Sequence, residues 1–304
     1  MQKNIEESRA AKFSWINITK NGGKELEYLR RKFGFHELDL KDCLPPLQRP
    51  KLVARPNYLF MILLFPVFDR KTGVLRASEI DFFITPKTLI TVNPKELAPL
   101  QEIFTKCRVK KNKCLNAADL LHEILHELLL SCFPMLVHIS NDIDNVENQL
   151  RSEFEKGTIT EILRIKTNIV NFRKAMQPHK QVIRSLIAES PKFFPTQKIK
   201  IYFENLVSYT KEIWDLLNNY KDTIDALHET NVSLIDFRIN VIMKTLTIFS
   251  VIVFPLTLLA AIFGMNTLGG MPLTNHPYGF WIILGGMMLG ALGFLWFFER
   301  KKWL

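Results

Sequence analysis

The chain has 304 residues, of which 47% are hydrophobic, and its formal net charge is +10 at pH 7. This length predicts more than one structural unit. A positive net charge is compatible with nucleic-acid binding, but the lysines and arginines are scattered along the sequence and form no cluster interleaved with aromatic residues. We therefore do not expect a nucleic acid as partner.

The N-terminal part, residues 1–115, shows the patterns of a mixed α/β domain. A Gly-Gly-Lys sequence at 22–24 introduces a helical pattern, but the first glycine of a phosphate-binding loop would fall on Ile18, so we expect no nucleotide site. The predicted strands are 12–18, 57–68, 79–85 and 87–93.

The cysteines show no metal-binding or redox spacing. No Cys-x-x-Cys pair occurs among Cys43, Cys107, Cys114 and Cys132. This usage predicts reduced thiols in a cytosolic domain.

Residues 116–195 have a helical pattern that predicts two antiparallel helices breaking near Gly157. One face of this hairpin is acidic, which is compatible with a solvated surface or with an outer electrostatic shell for cations. The acidic residues are Asp142, Asp144, Glu147, Glu153, Glu155 and Glu161.

Within this hairpin, residues 122–126 match the HExxH pattern of zinc proteases. In that pattern His122 and His126 would bind the metal and Glu123 would act as the base. No third ligand follows at the expected spacing, and the surrounding LLHEILHELLL is amphipathic. A structural helix is favoured, and a membrane-anchored zinc protease is the alternative from another functional class.

Residues 196–254 contain no proline and no glycine. Apolar residues recur at helical spacing throughout, which predicts one long helix. We expect a stalk over 196–244 that continues into a membrane span.

The C-terminal part has the composition of a membrane region. No Asp, Glu, Lys or Arg occurs in residues 245–298. Residues 245–263 and 278–298 are each long enough to cross about 30 Å of hydrocarbon, and 264–277 form the loop between them. The basic residues flanking the spans, including those of the tail 299–304, place both termini in the cytoplasm. These residues are Arg238, Lys244, Arg300, Lys301 and Lys302.

Two spans cannot enclose a pore, so a pathway requires a ring of several chains. One side of the first span is polar or small, which is compatible with helix packing, with pore lining or with both. Pro255 lies in the same span and removes one backbone donor. The residues of this side are Asn240, Met243, Thr247, Ser250, Phe254, Thr257, Ala261 and Gly264.

The segment MKTLTIFSVIVFPLTLLAAIFGMN resembles the first membrane helix of the CorA magnesium-transporter family, which ends in a Gly-Met-Asn motif. The segments FSWINIT, LKDCL, RPK, IDNVENQL and KKWL are similar to that family in the expected order. The resemblance implies an α+β cytosolic domain, a long stalk helix and two C-terminal transmembrane helices. It further implies a funnel-shaped homopentamer in the cell membrane.

The same resemblance implies the ion and its contacts. Gly264, Met265 and Asn266 would form the selectivity filter, with hydrated Mg²⁺ at a ring of Asn266 carboxamides. Amide oxygens can accept hydrogen bonds from the waters that Mg²⁺ keeps. Met243 and Leu246 would form a constriction at the cytosolic side. We expect influx of Mg²⁺, with Co²⁺ or Ni²⁺ as further substrates, and no enzymatic activity.

Cytosolic Mg²⁺ would also be the regulatory ion in this family. The candidate carboxylates lie on the stalk, where a solvated surface is the simpler interpretation. They are Glu204, Asp222, Asp225 and Glu229.

Two departures from the family pattern bear on the width of the pathway and on the ion. Phe254 stands where the family usually has a methionine, and Leu273 stands where the external loop commonly carries an acid. Zinc transport by the ZntB-like branch of the superfamily is therefore one alternative, with His276 as a candidate contact. A structural anchor without transport is another.

Overall fold

A computed structural model describes residues 4–9, 13–19, 22–94, 96–109, 116–152, 157–194, 197–265, 272–273 and 276–303. The chain divides into two compact units, Met1–His228 and Glu229–Leu304.

The first unit is built on a mixed sheet of six strands within the described part of the chain. The spatial order is β1-β2-β6-β5-β4-β3, with β2 and β6 parallel and every other neighbouring pair antiparallel. The strands are β1 (Ile5–Arg9), β2 (Ser14–Ile18), β3 (Lys51–Ala54), β4 (Leu59–Asp69), β5 (Val74–Ile84) and β6 (Thr88–Val92).

The four strands predicted from alternation are present as β2, β4, β5 and β6. Strand β5 begins earlier than expected, at Val74, because it pairs along its whole length with β4. The turn between them contains Gly73 with φ of 68°, a conformation that glycine adopts without steric cost. Strands β1 and β3 were not predicted.

Both faces of the sheet are covered. Successive side chains of a strand point to opposite faces, so Phe83 of β5 packs under α1 (Gly23–Phe33) and α2 (Glu37–Asp42), whereas Phe82 belongs to the larger core on the other face. That larger core contains residues of the remaining helices of the unit.

The segment expected to form a two-helix hairpin contains four helices. The chain breaks at Gly157 as expected, but also at Ser131 and at Gln177–Pro178. Pro134 and Pro178 lie in or directly before a first helical turn, where proline is tolerated. The four helices of this segment are α4 (Ala117–Leu130), α5 (Cys132–Ser152), α6 (Thr158–Met176) and α7 (His179–Glu189), followed by a short 3-10 helix (Ser190–Lys192), and α3 (Ala98–Val109) precedes them.

The cysteines differ from the expectation at one residue. Cys43 and Cys132 are buried and form no disulfide, but Cys107 is disulfide-bonded, so the expectation of reduced thiols throughout is wrong. Cys114 lies outside the described residues.

The long helix predicted from the absence of proline and glycine is present as α8 (Gln197–Phe263). It contains Pro255 and has 67 residues. This number of residues corresponds to a helix about 100 Å long. The last helix is α9 (Gly279–Arg300), with 22 residues.

In the described ranges, three helical stretches are long and apolar enough to cross a membrane. The first, Ala117–Arg151, is 44% buried over its apolar window, and its Leu121, Ile124 and Leu128 belong to the core of the first unit. The stretches in α8 and α9 are 6% and 0% buried. The described residues of this chain therefore leave the apolar side chains of these two stretches exposed, and lipid or another copy of the chain must bury them.

Candidate ion pathway

In the second unit, the most covered side of the last part of α8 is the side that contains Ile248. Lys244, Ile248, Ile252 and Pro255 are buried or half-buried. Their spacing of three and four residues places them on the same side of the helix. Among the described residues of this unit, Ile248 and Phe298 are the buried hydrophobic side chains.

The side chains predicted to line a pathway lie on the open side of α8. At about 100° per residue, Met243, Phe254 and Ala261 are about 120–140° from Ile248 around the helix axis. Phe254 is 69% exposed and Met243 is 55% exposed. Of the eight candidate lining residues, Ser250 is half-buried and the others are exposed, namely Asn240, Met243, Leu246, Thr247, Phe254, Thr257 and Ala261.

Hydroxyl groups on this open side have a defined orientation. Thr247 donates to the carbonyl of Met243 at 2.8 Å, and Ser250 donates to the carbonyl of Leu246 at 2.9 Å. Thr257 makes the same bond one turn back, to Val253, at 2.9 Å. Because each hydroxyl hydrogen is directed at the backbone, the oxygen lone pairs remain as acceptors on the helix surface.

The end of α8 carries the first part of the Gly-Met-Asn sequence. The Gly264 amide donates to the carbonyl of Ala260 at 2.9 Å, and a Cβ at Gly264 would lie 3.1 Å from that same oxygen. Met265 is 60% exposed. Asn266, the residue expected to meet the ion, lies outside the described residues.

The end of the loop closes onto the start of α9. Leu273 has φ of 71°, and its carbonyl accepts from the amide of His276 at 3.2 Å. A Cβ at Gly279 would lie only 2.2 Å from the Leu273 carbonyl oxygen, so this approach requires glycine. The Nδ1 atom of His276 accepts from the amide of Tyr278.

Charged and aromatic residues mark the ends of the apolar helices. Lys244 Nζ donates to the carbonyl of Lys302 at 3.2 Å, so the cationic start of the span in α8 meets the cationic tail after α9. Trp281 and Trp296, both exposed, lie about 23 Å apart along α9. Amphipathic rings at two such levels are typical of the two membrane interfaces.

Of the candidate regulatory carboxylates in the first unit, Asp222 and Asp225 both contact Lys221, but Glu204 is remote from them. Glu204 and Asp222 are about 27 Å apart along α8. Asp225 forms salt bridges with Lys166 at 2.6 Å and with Lys221 at 3.0 Å. The hydrogen bond from Lys166 is the main cause that lowers the pKa of Asp225. In the described part of the chain, no group of three His, Cys, Asp or Glu side chains could hold a metal.

The acidic face of 116–195 is partly neutralised. Arg164 contacts Asp142 at 2.6 Å and also pairs with Glu161, and Arg151 contacts Glu147 at 2.6 Å. Glu153 and Glu155 lie outside the described residues.

The HExxH residues lie on α4, against α8. The ring centres of His122 and His126 are 5.6 Å apart. The His122 ring lies 5.2 Å from Tyr202, and the His126 ring lies 5.5 Å from Tyr209. No third metal-binding group is present among the described residues, so the set required for zinc catalysis is absent there.

Comparison with known proteins gives the family. The chain matches the family described as CorA-like Mg²⁺ transporter protein over residues 10–301. It is 29% identical to the cobalt/magnesium transport protein CorA of Thermotoga maritima over 300 residues, 96% of this chain and 83% of that protein. Identity to the zinc transport protein ZntB of Pectobacterium atrosepticum is 22% over 73% of this chain and 67% of that protein.

The fold is also that of a solved structure. The complete structure of the CorA magnesium transporter from Methanocaldococcus jannaschii superimposes with a TM-score of 0.85 at 23% identity, covering 96% of this chain and 92% of that one. The protease interpretation of HEILH is set aside, because members of the matched family are transporters and not enzymes. With an α/β domain, one long helix and two exposed apolar helix segments, the chain belongs to the CorA-like Mg²⁺ transporter family of divalent cation transporters.

Proposed function

We propose that this chain forms a homopentameric, funnel-shaped Mg²⁺ channel of the cell membrane, with the open side of α8 lining the pathway. The observation that carries the proposal is the set of oriented hydroxyls of Thr247, Ser250 and Thr257 on the open side of α8. Magnesium dehydrates reluctantly and travels with bound waters that donate hydrogen bonds outward. Acceptor oxygens of hydroxyl groups suit such an ion better than carboxylates, which would replace its bound waters.

The filter would be formed by Gly264, Met265 and Asn266, with the Asn266 carboxamides accepting from the waters of the entering ion. Gly264 suits a narrow mouth, because a side chain there would crowd the Ala260 carbonyl. Met265 would serve packing, since a thioether is a poor ligand for a hard cation. Met243 and Leu246 would form the hydrophobic constriction at the cytosolic side.

The orientation proposed is that of both termini in the cytoplasm. The contact of Lys244 with the backbone of Lys302 supports it, because the basic residues of both spans then lie at one membrane face. With an inside-negative potential of about 100 mV, a divalent cation gains about 4.6 kcal/mol on entry. Influx therefore needs no nucleotide.

Regulation by cytosolic Mg²⁺ is proposed at carboxylates shared between neighbouring chains, because the described residues of one chain contain no group of three His, Cys, Asp or Glu side chains that could hold a metal. Glu204, Asp222 and Glu229 are exposed and suited to that role. Asp225 would first have to leave its two lysines. The combined change of Asp222→Asn and Glu229→Gln is expected to raise uptake at high internal Mg²⁺. Unchanged inhibition would rule these carboxylates out.

The test is ion uptake into vesicles that contain the purified full chain, with a negative internal potential. Mg²⁺, Co²⁺ and Zn²⁺ are compared for the wild type and for Asn266→Ala. Asn219→Ala, which changes an exposed asparagine of α8 in the first unit, is the matched control. Potential-dependent Mg²⁺ uptake that falls at least about tenfold in Asn266→Ala alone is the expected result.

Other outcomes of this experiment would overturn the proposal. Uptake of Zn²⁺ without Mg²⁺ would transfer the chain to zinc transport, the activity named for the ZntB relative. Equal Mg²⁺ uptake in the wild type and Asn266→Ala would remove the filter assignment. No uptake of any ion would favour an anchor without transport.

A further inference from the structure

The histidines of the HEILH sequence form a pair that cation transport does not use. His122 and His126 are four residues apart on α4, so their side chains lie on the same side of the helix. Both rings lie against aromatic residues of α8 within the first unit, His122 against Tyr202 and Phe203, and His126 against Tyr209.

The geometry of the pair suits one shared ion. A zinc-bound nitrogen lies about 2.0–2.1 Å from the metal, so two imidazoles on one tetrahedral ion have ring centres about 5.2 Å apart. The observed separation is 5.6 Å, with 26° between the ring planes. Joint coordination requires the side chains to rotate so that one nitrogen of each ring is directed at the same ion.

His122 also has an unused ligand atom. Its Nε2 is buried and makes no hydrogen bond to any described residue, which is unusual for a buried polar atom. Burial, followed by the neighbouring His126, lowers the pKa of His122. Neutral imidazole is the form that binds a metal.

We propose that His122 and His126 bind one borderline transition-metal ion of the Zn²⁺, Ni²⁺ or Co²⁺ class at the contact of α4 with α8. Imidazole nitrogen suits these ions, whereas Mg²⁺ requires oxygen ligands. Water would complete the coordination shell, because no third His, Cys, Asp or Glu ligand joins the pair within the described ranges. The site is thus non-catalytic and distinct from the ion pathway.

Zinc is the probe for the test, titrated against the purified full chain in competition with a chromophoric chelator. The variants His122→Asn and His126→Asn each remove one ligand and keep a polar side chain. Loss of an outer-shell partner typically costs about 10–100-fold in metal affinity, so loss of a ligand should weaken zinc binding by at least about tenfold. His138→Asn is the control, because His138 is exposed on α5.

A second readout separates binding from misfolding. Zinc should raise the thermal unfolding midpoint of the wild type and of His138→Asn, but not that of the two site variants, whose zinc-free midpoints should match the wild type. An excess of Mg²⁺ should leave zinc binding unchanged. The proposal is overturned if both site variants bind zinc as the wild type does, or if Mg²⁺ displaces the zinc. Neither readout depends on transport, so the result stands apart from the channel proposal.

Discussion

The two units differ in where their apolar side chains lie. In the first unit, large residues such as Phe60, Phe82 and Phe83 are fully buried between sheet and helices. In the second unit, Phe254, Trp281 and Leu289 are each more than 60% exposed. The first unit therefore supplies its own core, whereas the second requires lipid or further copies of the chain to cover its helices.

The same substitution in the two units should give the largest contrast. Phe83 is fully buried and its ring lies 4.4 Å from Phe35 and 4.7 Å from Phe60, so Phe83→Ala should cost about 4 kcal/mol of unfolding free energy. Phe254→Ala should leave stability nearly unchanged and increase Mg²⁺ uptake, because it would widen the pathway. Thermal unfolding of the full chain in detergent and vesicle uptake measure the two effects. Equal destabilisation by both changes would mean that Phe254 is packed rather than pore-lining.

Charged residues show a second contrast, between a buried and an exposed ion pair. Asp39 is 2% exposed and accepts from Arg55 Nη2 at 2.7 Å and from the Tyr58 hydroxyl at 2.7 Å. Burial acts to raise the pKa of Asp39, but these hydrogen bonds outweigh it and hold the pKa below its usual value.

Breaking the buried pair should cost much more than breaking the exposed one. Arg55→Met leaves the Asp39 carboxylate without its charged partner and should destabilise the first unit by roughly 3 kcal/mol. Arg31→Met removes an exposed contact to Glu27 and should cost at most about 0.5 kcal/mol. Chemical denaturation of the full chain measures both. If Arg55→Met costs less than about 1 kcal/mol, its cost is that of a surface ion pair. That result would contradict the assignment of Asp39 and Arg55 as a buried pair.

The buried part of the fold could be predicted from the sequence more completely than its edges. The alternating or continuous apolar runs gave β2, β4 and β6 within a few residues. The two strands that were missed, β1 and β3, are the edges of the sheet. Their side chains are mostly half-exposed, so neither carries the strong apolar signal of a buried strand.

Helix ends were predicted only where glycine marks them. Gly157 was recognised as a break, but the breaks at Ser131 and Gln177–Pro178 were not, although Pro134 and Pro178 carried the signal. For the pathway, helical spacing predicted the residues that share one side of α8. Which side is covered depends on the rest of the second unit, and the hydroxyl orientations depend on local backbone bonds, so neither could be predicted from spacing.

A buried acid provides a third test within the first unit. Asp81 of β5 is fully buried on the sheet face that α1 and α2 cover. Burial, and then repulsion by Glu79 on the same strand, raise the pKa of Asp81 well above its usual value, and Cys43 and Asp42 are also near. A folded pKa above the unfolded one contributes stability that is complete below about pH 4 and is lost as the pH rises toward the folded value.

Asp81→Asn should therefore flatten the decline of stability with rising pH. Each unit by which the folded pKa exceeds the unfolded one is worth about 1.4 kcal/mol, so the variant should equal or exceed the wild type in stability near pH 7. Unfolding midpoints between about pH 4 and pH 8 measure the slope, with the exposed Asp144→Asn as control. A wild-type slope retained in Asp81→Asn would show that another group titrates.

The smallest expected effect separates the two sides of α8 within the second unit. Thr247 and Thr245 are both exposed, and both donate to a carbonyl one turn back, at 2.8 Å and 3.0 Å. They are two positions apart, about 200° around the helix, so Thr247 lies on the candidate pathway and Thr245 does not.

Valine keeps the shape of threonine and removes the acceptor oxygen. Thr247→Val should cost about 1 kcal/mol in passage of the hydrated ion, or about fivefold in Mg²⁺ uptake, whereas Thr245→Val should leave uptake unchanged. Mg²⁺ uptake at a strongly negative internal potential measures both effects. Each variant loses the same kind of hydrogen bond to the backbone, so a fall in uptake in both would be caused by distortion of the helix and not by lost contact with the ion. Only a selective fall in Thr247→Val is compatible with acceptor oxygens along the pathway.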